Sequence, residues 1–390
     1  MYSEDDINSA VAAGALSAEA AQSFRSHMTK TRELPRSSEE NFRLINSFND
    51  IFVAIGIVIL LLAVGAIGQA IAGLLVPVED YLTTFGDRDL PDDAELAAWR
   101  AATDLRQAWE ISLAGLFVAV TSWPLAEFFT SKRRMALPSI LLLLAFVGGT
   151  FAAILGVGAA LVEGGSERLG ALAVSLAALI AAGAAYLHWR RFMVPITVAA
   201  GAAAIAGTVI GLIVTGIGPQ GVDEDVVLML VFVAGLAVFA FAMRWDISDL
   251  ERTSRRSDVA FWLHLLAAPM IAHPIFALIG VTDGNNIGMG AAFAVIAVYI
   301  GFGLLALAID RRAMLVSALA YVLFALTFLF REFGAVELNF ALTALVIGSA
   351  LLSLSAFWQP IRRTVVAALP EGIQEALPAT HELGLTARTA

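Results

Sequence analysis

Residues 259–280 read VAFWLHLLAAPMIAHPIFALIG. The run has no charged residue and is long enough for a helix to cross ~30 Å of hydrocarbon at ~1.5 Å per residue. It nevertheless holds His264, His273, Pro269 and Pro274. A bilayer interior accepts such residues only beside groups that satisfy them. We therefore read the stretch as a spanning helix and as the first place to look for an active centre.

The same kind of block recurs on both sides of it. Hydrophobic residues make up 59% of the 390-residue chain and charged residues 15%, and the mean hydropathy is +0.81. Soluble domains are about half apolar and about a quarter charged. Ten spans are expected, at 51–75, 109–130, 136–162, 169–189, 194–218, 226–243, 259–280, 288–309, 313–330 and 339–358. Alternate sides then carry 19 and 5 of the basic residues. The positive-inside rule places both termini in the cytoplasm. The opposite face is acidic, with Glu79, Asp80, Asp92, Asp93 and Glu95 in one loop and Asp223, Glu224 and Asp225 in another. No short apolar core with a small-residue cleavage site precedes Ile51, so the first span is expected to serve as its own insertion signal.

The expected fold is all-α: a ten-span transmembrane helical bundle over 49–363, preceded by a cytoplasmic helical hairpin and linker over 1–48. Ser3 with Asp6 starts the first helix of the hairpin, Gly14 stops it, and Ser17 caps a second running to about His27. The tail, 364–390, has Pro370, Gly372 and Pro378 and no sustained apolar period, so it is expected to be poorly ordered. Residues 92–109 read as a helix lying on the outer membrane surface, with Trp99 and Trp109 at headgroup level. Ser248 with Glu251 reads as a capping box opening a short surface helix before the seventh span.

Three turns on the basic side are alike: SKRRMALPSI (131–140), HWRRFMVPIT (188–197) and IDRRAMLVSA (309–318). A fourth, SRRSDVAFWL (254–263), keeps the paired arginines. The pairs lie 56 to 65 residues apart, the length of two spans and two turns, which suggests tandem helical hairpins. A five-plus-five inverted repeat is the other arrangement ten spans allow. It would match a break at Trp123–Pro124 with one at Pro269 and Pro274.

Each proline in the seventh span removes a backbone donor and frees the carbonyl four residues earlier. His264 lies roughly 8 Å from the inner end of that span and His273 roughly 21 Å. His273, far from either surface, is the leading candidate for a proton relay or a substrate hydrogen bond. The two histidines fall on opposite faces of an ideal helix, which argues against one shared metal ion. Glu127 follows Pro124 and is expected to pair with Lys132 or Arg134. Asp50, after Asn46 and Asn49, suits a helix cap. Gly207 with Gly211, and Gly148, Gly149, Gly156 and Gly158, permit close helix packing. Cysteine is absent, which excludes thiolate chemistry and disulfides. No phosphate loop, dinucleotide fingerprint or hydrolase motif occurs, and no basic patch suits nucleic acid. No cofactor or metal is expected.

The stretches AEFFTSKRRMALPSILLLLAFVGG (126–149), SDVAFWLHLLAAPMIAHPIF (257–276) and NFRLINSFNDIFVAIG (41–56) resemble a group of bacterial polytopic membrane proteins classed by a domain of unknown function. That resemblance implies a bacterial inner-membrane location and brings no activity with it. From the residues, the leading expectation is a permease-like transporter of a small solute or ion, embedded in lipid, with His273, His264, Glu127, Asp50, Pro269 and Pro274 as candidate site residues. The other is a scaffold or sensor that recruits a cytoplasmic protein through the N-terminal hairpin. Catalysis is the least supported class, since nucleophiles and acids are not clustered.

Overall fold

The structure is a computed structural model of the whole chain. It describes residues 4–33, 48–86, 92–162, 165–250, 252, 254–280, 288–333 and 337–378. Every regular element among them is helical. They fall into two compact units, one built from the N-terminal hairpin and one from the spans and the segment after them.

The hairpin is α1 (Glu4–Ala12) and α2 (Ala18–Glu33). Gly14 turns the chain with φ +70°, a conformation without strain only for glycine. Ser17 Oγ accepts from the Ala20 amide at 3.1 Å and caps α2. That helix runs beyond His27, to Glu33. Ser3 and the linker after Glu33 lie outside the described residues.

The second unit holds α3 (Phe48–Leu75), α4 (Tyr81–Phe85), α5 (Asp93–Ala126), a π-helical turn (Glu127–Lys132), α6 (Ala136–Val162), α7 (Glu167–Phe192) and α8 (Ile196–Ile217). It continues with α9 (Glu224–Ile247), α10 (Arg255–Leu278), α11 (Met289–Ile309), α12 (Ala313–Glu332), α13 (Asn339–Ala356), α14 (Trp358–Ala367) and α15 (Glu371–Gln374). Ten of these helices, α3 and α5 to α13, are long and apolar enough to cross a membrane. Large apolar side chains cover the outside, among them Leu62, Leu74 and Leu161, each more than two-thirds exposed. Such a surface is stable only in lipid, and the chain is an integral, multi-pass membrane protein.

Inside, the spans meet through small residues. A Cβ on Gly149 would lie 2.7 Å from the Gly115 carbonyl oxygen and 2.9 Å from the Ala119 amide, so only glycine lets α5 and α6 approach this closely. Gly156 presses on Ala108 and Ser112 in the same seam. Gly148, one residue away, faces open space.

Each of the eight helices from α5 to α12 makes its most extensive contact with its partner across an arginine-rich turn: α5 with α6, α7 with α8, α9 with α10, α11 with α12. Each turn contains a left-handed non-glycine residue, Arg134, Met193, Arg252 or Asp310, with φ between 52° and 56°. The next helix opens on a buried hydroxyl in three of the four, Ser139, Thr197 and Ser257. This is the tandem-hairpin arrangement, with α3 and α13 flanking it.

Several expectations are corrected. The helix read as lying on the outer surface is continuous with the second span. Asp93–Lys132 forms one 40-residue rod, about 60 Å long and about twice the thickness of the hydrocarbon. No glycine or proline interrupts 93–109, and an Arg106–Glu110 pair at 2.8 Å carries the helix through the supposed joint. The projecting end is steadied by α4, where Tyr81 and Phe85 pack on Trp99 and the Trp99 indole donates to the Glu79 carbonyl at 3.0 Å.

The paired proline breaks are absent. Helix α10 runs unbroken through Pro269 and Pro274, and α5 through Pro124, with the π turn starting at Glu127. Proline's fixed φ is helical, so it deletes a hydrogen bond without forcing the chain out of the helix. Before α10 the cap is Ser254, whose Oγ accepts from the Arg256 amide. Ser248 ends α9 instead, bonding back to the Trp245 carbonyl.

Candidate functional site

Helix α10 is the most buried span, with 56% of its apolar window inside the protein against 11% for α13. It positions His264 in the interior, at 0% exposure. His264 is met there by Asp246, at the arginine-rich end of α9, and Asp246 in turn by Arg311 from the α11–α12 turn. His264 Nε2 lies 2.7 Å from Asp246 Oδ2. Arg311 grips the same carboxylate with two nitrogens, Nη2 on Oδ1 and Nε on Oδ2 at 3.3 Å. Its Nη2 also donates to the Ser257 carbonyl at 3.1 Å and to Ser257 Oγ at 3.2 Å. Phe239 closes the side of the imidazole, ring edge to face at 5.2 Å.

An ionised carboxylate only accepts, so the His264 proton toward Asp246 sits on Nε2; in the neutral ring Nδ1 then carries the lone pair. Nδ1 is buried and has no hydrogen-bond partner among the described residues. Burying three ionisable groups costs several kcal/mol each by desolvation, about as much as good pairing returns. Their removal from water is therefore not explained by stability alone.

A second network abuts the first. Asp310, left-handed and buried, accepts from Arg252 Nη1 at 2.8 Å and from the Trp358 indole at 2.7 Å. Arg362 Nε lies 3.7 Å from the same carboxylate. Arg252 also bonds the Ile309 and Asp310 carbonyls at 3.0 and 3.1 Å, capping α11. Burial pushes the Arg362 guanidinium below its ordinary value, and the Asp310 carboxylate opposes that shift. Asp310 and Arg311 are adjacent in the chain, so the two networks share one turn.

The expected candidates are distributed differently. His273 is on the opposite side of α10 from His264 and is exposed. Its Nδ1 is 2.7 Å from the Tyr321 hydroxyl, and Tyr321 stacks on Phe276. Pro269 is exposed and Pro274 buried. Glu127 pairs with Arg191 of α7 through two bonds of 2.7 Å, in place of the expected Lys132 or Arg134. Asp50 is buried in the first turn of α3; Asn46 lies outside the described residues. Of the six, His264 lies in a cluster of buried charge. Among the described residues no three His, Asp or Glu side chains gather as a metal-ligand set.

Sequence reasoning missed Asp246, Arg311, Asp310, Arg252, Trp358 and Arg362. One signal was available. Asp246 and Asp310 are acids at the end of spans on the basic side, and IDRR is the one arginine pair with an acid directly before it. A second buried histidine was also missed. His188 of α7 is walled by Trp123, Phe146 and Phe192, with Thr197 Oγ1 3.4 Å from Nδ1.

No protein-family model, curated protein or solved structure matches this chain.

Proposed function

We propose that this protein is a permease-like carrier of a small solute or ion in a bacterial inner membrane, with both termini in the cytoplasm. On this reading Asp246, His264 and Arg311 form a proton-sensitive lock at the cytoplasmic end. The observation that carries it is a carboxylate, an imidazole and a guanidinium from three different segments, hydrogen-bonded together and shut away from water. Ionisable groups in this setting are expensive and mark ion or substrate paths. A proton on His264 Nδ1 makes the ring a cation. It then competes with Arg311 for Asp246 and repels both Arg311 and Arg252. The bonds that hold α9 and α10 to the α11–α12 turn weaken, and the cytoplasmic end can part.

The absence of native cysteine makes the test direct. A single cysteine at Ala260, one turn before His264 and fully buried, is exposed to a membrane-impermeant maleimide in inside-out vesicles. Labelling is expected to rise as the pH is lowered far enough for the imidazole to take up a proton. His264→Gln should make it independent of pH. An Ala260→Cys protein that stays unlabelled as the pH is lowered would overturn the proposal.

One observation favours the scaffold reading as well: the N-terminal hairpin is a compact unit of its own, with Phe24 half-exposed. If recruitment is the function, deleting residues 1–40 abolishes it while membrane insertion persists.

A further inference from the structure

We infer that residues 358–378 are an autoinhibitory latch that holds the cytoplasmic lock shut. This rests on the lock proposed above and adds its regulation.

Helix α14 begins two residues after α13, the least buried span. It docks through one stripe, Trp358, Arg362 and Val366, spaced one turn apart and all buried, while Ile361, Arg363 and Thr364 stay exposed. The stripe is not simply apolar. The Trp358 indole donates to Asp310, Arg362 Nη2 donates to the Pro378 carbonyl at 2.5 Å, and Arg312 lies over the Trp358 ring at 4.9 Å. The Pro378 bond folds the segment back on itself, and Leu377 is buried with it.

Asp310 is therefore the point where three segments are tied: the α9–α10 loop through Arg252, the α11–α12 turn through its own backbone, and the C-terminal segment through Trp358 and Arg362. The next residue, Arg311, holds Asp246 and His264. Parting α9 and α10 from the α11–α12 turn must break or carry along the α14 contacts. A segment serving only as an anchor needs no buried arginine aimed at the hinge of the lock. A one-stripe helix is also small enough to leave its seat as a unit, returning Arg362 to water.

The full-length Ala260→Cys protein reports the state of the lock. Trp358→Phe keeps the ring and removes the donor; Arg362→Met keeps the volume and removes the charge. Losing a net hydrogen bond of about 0.5–1.5 kcal/mol predicts that each raises maleimide labelling at neutral pH roughly two- to twelve-fold. Asp246→Asn is the control that opens the lock directly. Unchanged labelling in both latch variants, with a rise in Asp246→Asn, would overturn the latch and leave the lock standing. Unchanged labelling in all three would remove the lock and the latch together. A rise in the latch variants that His264→Gln does not alter would still support the latch, because its action is upstream of the imidazole.

Discussion

Asp246 is the residue on which most of the buried charge depends. It accepts from both His264 and Arg311. Asp246→Asn leaves the Arg311 guanidinium buried beside a neutral amide. That should cost about 3–5 kcal/mol, read as a fall in melting temperature of the detergent-solubilised protein. Asp246→Leu combined with Arg311→Met removes both charges and should recover most of the loss while abolishing pH-dependent labelling at position 260. A second residue-scale prediction concerns Met193, left-handed and 42% exposed at the end of α7. Met193→Gly should leave stability unchanged or raise it by up to ~1 kcal/mol, because only a side chain makes that conformation costly. His264 was legible as a candidate site residue near the inner end of its span. Its partner was not, since Asp246 is distant in sequence and a pattern along one helix says nothing about which helix stands opposite.

At the scale of elements, the seam between α5 and α6 supplies a paired test. Gly149 and Gly148 are neighbours with the same composition around them, yet a Cβ at Gly149 meets backbone atoms that cannot give way and one at Gly148 meets nothing. Gly149→Ala should destabilise by about 1–3 kcal/mol through overpacking. Gly148→Ala should be neutral or slightly stabilising, as a helix gains when glycine is replaced. Thermal melts of the two variants side by side would show whether the seam is as tight as drawn. The extent of the spans was legible because hydrocarbon thickness dictates their length. The continuity of α5 past the membrane was not, because an amphipathic segment next to a span reads the same whether it bends onto the surface or runs straight on. Helix α14 escaped notice for a related reason: its buried stripe includes an arginine, so it carries no apolar period.

For the whole molecule, the arginine distribution predicts the topology. Reporter fusions at residue 1 and residue 390 should both report cytoplasm, and fusions near Asp92 the periplasm. A periplasmic signal at either terminus would reverse the assignment of the lock to the cytoplasmic end. The packing of α5 to α12 as four successive hairpins also accounts for the recurrence of the arginine pairs, since each pair sits at the same kind of turn.

What the chain's sequence determined alone is the number of spans, their approximate position along the chain and the bias of basic residues toward alternate ends. These follow from one-dimensional quantities, hydrophobic length against membrane thickness and charge against loop position, and they need no knowledge of which helix touches which. The tertiary structure decided the rest. It sent His273 to the surface and His264 to the interior, it chose Arg191 for Glu127, and it drew Asp246, Arg311 and Asp310 together with the C-terminal segment. A buried charge is stable only where partners from other elements converge on it, and that convergence exists only in three dimensions.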